Sequence, residues 1–276
     1  MEKANFTVVD LFRVMRVSRS GYYAWRQREP DPDRVRRVAL IQKVHRQKRG
    51  SYGSRRMARE LRRRGEPVGR SQARSLMLEA CVEARQRRRW RTTTDSDHGY
   101  PVAPDRLQRR FLVPEPNRFW VADITAVWTL EGWLYLAAVL DLYDRQVVDW
   151  AMAGHMRTEL VLAALEMAVG RRRPAAGLVH HSDRGSQYAS RAYRERLEKH
   201  GMEASMSRKG NCWDNAVMER FFGSLKSEWL ADQRYRTRDQ ARRDNVQYIE
   251  MEYNSNRLHS TLGHITPREQ QMAVAA

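Results

Sequence analysis

Apolar residues in the first 80 positions recur with helical spacing. A helix is predicted from about Asp33 to Arg46, because apolar residues occupy every third position there: Val35, Val38, Ile41 and Val44. A second helix is predicted from Tyr52 to Arg64, and a third after Ser71, which is a suitable N-cap residue. Three short helices with a glycine-containing turn predict a helix-turn-helix module, although any small helical bundle shares this pattern.

The pattern changes twice along the rest of the chain. Helical spacing is lost at residues 92–115, so residues 96–116 are interpreted as a linker or docking arm anchored by Leu107 and Phe111. Three runs rich in β-forming residues then predict an antiparallel meander; they lie at 118–128, 132–143 and 145–154. Helices alternate with short strands after that, and this order predicts an α/β core with a mixed sheet and a C-terminal helical tail.

These patterns divide the chain into three parts. Residues 1–95 are predicted to form an all-α, basic helix-turn-helix region, and residues 117–276 the α/β core. The longest apolar run, Trp133–Leu140, is too short to cross a bilayer, so no membrane contact is expected. The N-terminus lacks a signal-peptide core, and the expected location is cytoplasmic. Cys81 and Cys212 are too far apart to suggest a disulfide framework or a cysteine-based zinc finger.

Positive charge is concentrated in the N-terminal part. The chain has 51 Lys and Arg against 33 Asp and Glu, and residues 1–116 hold 29 of the basic and 13 of the acidic residues. This asymmetry favours a DNA partner, and hence association with the nucleoid, over a merely solvated arginine-rich surface. The candidate DNA contacts in and beyond this part are basic: Arg70, Arg74, Arg85, Arg87, Arg88, Arg89, Arg91, Arg208 and Lys209.

Three carboxylates in the core are candidates for catalysis. Asp123 lies inside the first strand, where aspartate is uncommon and costly unless it is paired or binds a cation. Asp183 ends a short strand, at the edge where open α/β sheets place their sites. Glu219 lies on a helix with Asn215 one turn before it and Lys226 two turns after it. Each acid alone is better explained as a cap or a surface residue, but the three together favour a shared site.

Oxygen ligands suit hard cations such as Mg²⁺ or Mn²⁺. Two such ions, about 4 Å apart, can activate an attacking oxygen and stabilise a leaving oxygen in phosphodiester displacement. A polyanionic substrate beside an acidic cluster requires cations between them. The prediction is therefore a two-ion site at Asp123, Asp183 and Glu219, with Lys226 and Asn215 as DNA contacts.

Several runs resemble the second-reading-frame transposases of the insertion-sequence-three family, which are similar to retroviral integrases in their catalytic domain. The resemblance lies in WVADIT, YLAAVLDLYDR, HSDRGSQY, SRKGNCWDNAVMERFFGSLKSE and YNSNRLHSTLGHITP. It extends over essentially the whole chain, including YGSRRMARELRRRG, which is similar to the family's helix-turn-helix. The resemblance implies a ribonuclease-H-like core whose acidic triad is Asp123, Asp183 and Glu219.

The resemblance also implies partners and an order of reactions. Double-stranded DNA is cleaved at the element's end, and the 3′-OH attacks first the opposite end, giving a circle, and later target DNA. Two ends must meet, so a homo-oligomer, dimeric or larger, is expected in a synaptic complex. A first-reading-frame product, as a fusion or a partner, is expected to supply further end recognition, since no sustained heptad pattern is present here.

Other polar and aromatic residues have simpler interpretations. His181 is expected to support a metal ligand through hydrogen bonds, and Gln187 and Tyr188 either contact nucleic acid or cap a helix. Trp120, Trp133 and Trp150 are interpreted as core residues in preference to base-stacking platforms. Arg257 and His259 either reach DNA or belong to a packed C-terminal extension.

Two further functions compete with transposition. A non-catalytic regulator or accessory end-binding protein would show only salt-sensitive DNA binding. A ribonuclease with the same fold would cleave RNA–DNA hybrids, although a basic helix-turn-helix suits B-form DNA better.

Overall fold

The computed structural model describes residues 8–27, 29, 31–85, 99–208 and 212–275. The chain forms two compact units, residues 1–83 and residues 84–276. The predicted Arg87, Arg88, Arg89, Arg91 and Lys209 lie outside the described residues.

The first unit is helical. Its helices are α1 (Val8–Met15), α2 (Arg19–Arg26), α3 (Pro32–Gln47), α4 (Ser54–Arg63) and α5 (Arg70–Glu79). Ile41, Met57 and Leu76 are buried where α3, α4 and α5 pack together. The apolar positions at helical spacing therefore face the core, as predicted. The third helix begins two residues early, because Gly69 rather than Ser71 is its N-cap.

The second unit is built on a five-stranded mixed sheet. Its strands are β1 (Phe119–Thr129), β2 (Gly132–Asp141), β3 (Val147–Ala153), β4 (Val179–Ser182) and β5 (Glu203–Met206). The order across the sheet is β3-β2-β1-β4-β5, with the first three strands antiparallel and β4 and β5 parallel to β1. The antiparallel meander and the mixed sheet are confirmed.

Helices cover both faces of this sheet. They are α6 (Thr158–Arg172), α7 (Ser186–Ala189), α8 (Arg191–Lys199), α9 (Ala216–Ser224), α10 (Arg238–Val246) and α11 (Pro267–Ala275). Trp120 and Ala122 pack with α6 and α8 on one face, and Val121 packs with α9 on the other. Leu107 is fully buried in the second of these cores and Phe111 packs against it, as expected for anchors.

Helices α9 and α10 each change from α-helical to π-helical hydrogen bonding at their C-terminal ends. A π-helical segment, Leu225–Leu230, continues α9, and another, Gln247–Tyr253, continues α10. Near both changes a side chain bonds to a carbonyl one turn back. The Ser227 hydroxyl donates to Gly223 O at 2.6 Å, and the Asn245 amide donates to Ala241 O at 2.7 Å. Such bonds compete with the backbone ladder, which accounts for the local rewinding.

Candidate active site

Asp123 lies on the central strand β1, on the face that also carries Val121. Its side chain is half-buried, and its Oδ1 accepts a hydrogen bond from the Ile124 backbone N–H at 2.7 Å. Loss of hydration and the nearby charge of Asp183 raise the pKa of Asp123 well above its usual range, and Glu219 adds to the repulsion. A carboxylate in such surroundings favours a cation as its partner.

Asp183 directly follows β4, which runs parallel to β1 beside it. Its carboxylate accepts the backbone N–H of Gly185 at 2.9 Å, so the turn that leaves the strand sets its orientation. A Cβ placed on Gly185 would lie 3.0 Å from that carboxylate oxygen and 3.0 Å from Oε1 of Gln187. The turn therefore needs glycine for the close approach of Asp183 to the backbone.

Substitution of this glycine tests the role of the turn. Gly185→Ala is expected to displace the Asp183 carboxylate and lower strand-transfer activity by about tenfold to a hundredfold, since misplacement of a catalytic group by about 1 Å has effects of that size. Gly223→Ala is a matched control, because a Cβ there meets nothing within 4 Å. Strand-transfer rates of the two variants give the comparison; equal rates would show that the turn does not position Asp183.

Glu219 is an exposed residue in the first turn of α9, and Asn215 directly precedes that helix. Asn215 is buried, and its Nδ2 donates to the Ala122 carbonyl of β1 at 3.4 Å. The Oδ1 atom of the same side chain is buried without a hydrogen-bond partner. A buried acceptor of this kind is costly unless a ligand or an ion contacts it. Asn215 thus links the helix of Glu219 to the strand of Asp123.

Lys226 lies at the start of the π-helical segment after α9 and is half-buried. Burial lowers the pKa of the Lys226 ammonium, whereas the negative charge of Asp123 raises it. The positive charge of Lys226 therefore acts on Asp123, and it lowers the pKa of that carboxyl.

Asp123 interacts electrostatically with three charged residues, but the side chains are not arranged as a complete metal-binding site. Asp123 experiences the charges of Asp183, Glu219 and Lys226 together. Within the part of the chain that the structure describes, no three His, Cys, Asp or Glu side chains are arranged to hold a metal ion. The strands and α9 thus place Asp183 and Glu219 close enough for their charges to act on Asp123.

Asp214 has a structural role that the sequence did not predict, since it suggested only helix capping for this residue. Its buried carboxylate accepts hydrogen bonds from the side chain of Arg109 at 2.9 Å and from that of Arg208 at 3.0 Å. The Arg208 hydrogen bonds hold the pKa of Asp214 below its usual range. This clamp ties the residues before α9 to the segment after β5. The signal in the sequence was weak, because Asp before a helix more often caps it.

The residues next to Asp183 face inward. His181 is buried, and its ring nitrogens contact the hydroxyls of Ser205 at 2.9 Å and Ser207 at 3.3 Å. Gln187 donates to the Met156 carbonyl at 2.9 Å, and Tyr188 is buried in the core. His181 therefore holds β5 and its following residue against the strand before Asp183.

The arginines among the candidate DNA contacts that the structure describes are solvent-accessible, whereas Asn215, also predicted as a DNA contact, is buried. Arg70 and Arg74 are exposed on α5 in the first unit. In the second unit, Arg85 forms an ion pair with Asp232 at 2.5 Å, and Arg208 remains 55% exposed while bound to Asp214. Their contacts with DNA stay predictions.

The C-terminal arginine belongs to the packed interior. Arg257 is 5% exposed, and its guanidinium binds the Glu228 carboxylate through two hydrogen bonds of 2.7 and 2.8 Å. His259 is 9% exposed and packs edge-on against Tyr253. Of the two interpretations of this segment, the packed extension fits.

The tryptophans do not share one environment. Trp120 is fully buried and Trp150 is half-buried, in keeping with core positions. Trp133 is 47% exposed, so its interpretation as a core residue was wrong. It lies next to the turn of the β1–β2 hairpin, directly opposite Trp128, which is also exposed.

Family models match both units of the chain. An HTH-like domain matches residues 32–90, and two models described as integrase core domain match residues 113–212 and 200–267. The helix-turn-helix prediction and the α/β core, ribonuclease-H-like in its strand order, are thereby confirmed.

Curated relatives cover nearly the whole chain. The insertion element IS600 uncharacterized 31 kDa protein of Shigella sonnei is 48% identical over 271 residues, which are 96% of this chain and 99% of that protein. Transposase InsF for insertion sequence IS3A of Escherichia coli (strain K12) is 36% identical over 272 residues, 97% of this chain and 94% of that protein.

A solved structure shows a more distant likeness. The simian T-cell lymphotropic virus intasome in complex with PP2A regulatory subunit B56 gamma contains a chain that is 17% identical, with a TM-score of 0.49 over 84% of this chain and 73% of that one. The two curated relatives identify the family, because each combines high sequence identity with nearly complete coverage of both aligned proteins. The chain belongs to the IS3 family of insertion-sequence transposases.

Proposed function

We propose that this transposase cleaves a phosphodiester at the end of its element and joins the freed end to another DNA strand, using Asp123, Asp183 and Glu219. In the first step water attacks the phosphorus, the bond to the 3′ oxygen breaks, and that oxygen takes up a proton to become a 3′-OH. In the second step the 3′-OH attacks a phosphodiester of another strand and displaces its 3′ oxygen. Each step exchanges one P–O bond for another, so no oxidant or covalent enzyme intermediate is needed.

The donor set fits divalent cations. Three carboxylates and the unsatisfied Oδ1 of Asn215 are all oxygen donors, which Mg²⁺ and Mn²⁺ prefer. Two bound ions would supply Lewis-acid stabilisation of the attacking and leaving oxygens. Asp123 and Asp183 would hold these ions from the sheet, and Glu219 would close the site from the first turn of α9.

Lys226 and the N-terminal unit would hold the substrate. The lysine lies beside the carboxylates and can contact a phosphate near the one that reacts. The HTH-like domain, with Arg70 and Arg74 exposed on α5, would bind double-stranded DNA. Joining two DNA ends requires a homo-oligomer, and a first-reading-frame product would act as a fusion or a partner.

One observation carries the proposal most strongly. Asp123 is a half-buried carboxylate on the central strand, and the negative charges of Asp183 and Glu219 both repel it and raise its pKa. A fold that needed only stability would not collect three acids there, since like charges that lose hydration are unfavourable. The arrangement is explained when a cation and a phosphate complete it.

The test uses a labelled duplex that carries the end of the chain's own element. With Mg²⁺ or Mn²⁺ we expect a cleaved product with a 3′-OH and joined products of higher mass; without either ion we expect binding alone. Salt-sensitive binding with no product in either metal would favour the regulator. Cleavage of an RNA–DNA hybrid in preference to the duplex would favour the ribonuclease.

Arg74 offers a separate test of the N-terminal unit. Arg74→Ala is expected to weaken binding to the end duplex and to reduce the slope of log Kd against log salt by about one, as loss of one phosphate contact does. Arg34→Ala is the control, because Arg34 pairs with Glu79 at 2.7 Å. Fluorescence anisotropy over a salt series measures both; an unchanged slope for Arg74→Ala would place this residue away from phosphate.

A further inference from the structure

An open groove lies beside the candidate active site in the second unit. Its volume is about 820 Å³, and it runs between the β1 residues Ala126–Trp128 and the segment from Lys226 to Tyr235. β1 pairs with β4 only at Phe119–Val121, so the same edge of β1 is open further along in the described structure. A bridge between Thr129 and Tyr235 closes the far end of the groove.

Two half-exposed tryptophans stand on this groove. Trp128 and Trp133 are directly opposite each other in the β1–β2 hairpin and are 58% and 47% exposed. Their rings meet edge to face, with centroids 4.9 Å apart. The pair leaves aromatic surface uncovered by the described chain, and large exposed aromatic surface marks a binding site more often than a passive surface.

The groove is also positively charged. Its basic residues are Arg85, Lys226 and Arg234, and Asp232, paired with Arg85, is its acidic residue. Lys226 is the same residue whose charge acts on Asp123. The groove thus contains both tryptophans and the lysine that acts on Asp123, and Trp128 is five strand residues, or about 17 Å, from Asp123 along β1.

Aromatic rings interleaved with cations match one class of ligand. The base pairs of a duplex keep their faces stacked on one another, whereas unpaired bases can stack on tryptophan while their phosphates meet basic side chains. Strand alternation places Asp123 and Trp128 on opposite faces of β1, so the ligand must pass over the open edge. A thin, flexible single strand can do so, and a rigid duplex cannot.

We infer that this groove holds a few unpaired nucleotides of the DNA strand that continues from the reacting phosphate, with their bases stacked on Trp128 and Trp133. The inference rests on the proposed function for the direction of the strand. It adds a substrate feature, local opening of the duplex next to the cleaved bond, that the three carboxylates do not require by themselves.

The binding test needs neither metal nor catalysis. A fluorescent single-stranded eight-nucleotide thymidine oligomer is titrated with the full chain and with the double variant Trp128→Ala, Trp133→Ala. We expect about tenfold or greater loss of affinity, since stacking contributes about 1–3 kcal/mol per base. Met167→Ala is the control, because Met167 is 45% exposed on α6 of the second unit and does not line the groove; this variant should keep the affinity of the unmodified chain.

A cross-linking experiment with the unmodified chain gives the position directly. An oligomer containing 5-iodouracil is irradiated with the protein, and the linked peptide is identified by mass spectrometry. We expect the link at Trp128 or Trp133. Links confined to other peptides, or equal affinity of the double variant and the unmodified chain, would overturn the inference.

Two further outcomes separate this inference from its alternatives. One outcome is that the double variant sediments differently from the unmodified chain and still binds the thymidine strand. In that case the tryptophans form an interface between copies of the chain, and the inference is wrong. If the unmodified chain binds and cross-links the oligomer at the tryptophans but joins no ends with metal, the groove stands and the proposed function fails.

Discussion

Asp123→Asn is expected to abolish strand transfer, with a fall of about a thousandfold or more, while leaving the affinity for the end duplex within about twofold. The carboxylate would be a direct ligand of the reacting cations, and the neutral amide can neither balance their charge nor hold them. Binding should persist because the HTH-like domain is a separate compact unit. Rates from a labelled-end assay and affinities from anisotropy give the comparison.

The same variant should be more stable than the unmodified chain when no metal is present. The folded state raises the pKa of Asp123, so at neutral pH its ionised form opposes folding, and removal of the charge relieves this cost. Asn retains an oxygen that can accept the Ile124 N–H. Thermal unfolding in chelator should therefore show a higher Tm. A lower Tm together with lost DNA binding would mean that Asp123 is structural.

Arg257→Ala is expected to lower the free energy of unfolding by about 3–5 kcal/mol, the usual effect of leaving one member of a buried ion pair alone. The side chains of Arg257 and Glu228 are 6% and 11% exposed. Arg257 also donates to the hydroxyl of Ser224 at 3.1 Å, so the variant loses this hydrogen bond together with the ion pair. Chemical denaturation measures the change.

An exposed pair provides the control. Arg242 and Asp239 form an ion pair of 2.6 Å, but their side chains are 43% and 72% exposed. Arg242→Ala should change stability by less than about 0.5 kcal/mol, since solvated ion pairs contribute little. If Arg257→Ala had an equally small effect and instead weakened DNA binding, Arg257 would be a DNA contact and not part of the packed extension.

The sequence predicted those features that depend on local spacing and on residue type. Ile41 and Leu76 recur at helical intervals, and their burial in the first unit follows. Asp123 stood out because an acid inside an apolar strand is costly without a partner, and this cost is independent of the tertiary details. The strand and helix that bring Asp183 and Glu219 near it follow from the order of the elements.

Other features depend on contacts between distant segments. The Asp214 clamp joins Arg109 to a residue 105 positions later, and no local pattern marks such a pair. Trp133 lies in a β-forming run, as Trp120 and Trp150 do, but it is next to the hairpin turn and is 47% exposed. The π-helical rewinding after Ser224 arises from competing hydrogen bonds, to which hydrophobic periodicity is insensitive.

No helix in the described ranges is both long and apolar enough to cross a bilayer.

The most direct test of the account is the position of Mn²⁺ in crystals of the chain with its end duplex, located by anomalous scattering. The account predicts peaks between the carboxylates of Asp123 and Asp183, with Glu219 contacting an ion and a DNA phosphate beside them. Peaks that involve none of these carboxylates, or a Glu219 that stays apart from every ion while the duplex is bound, would contradict it.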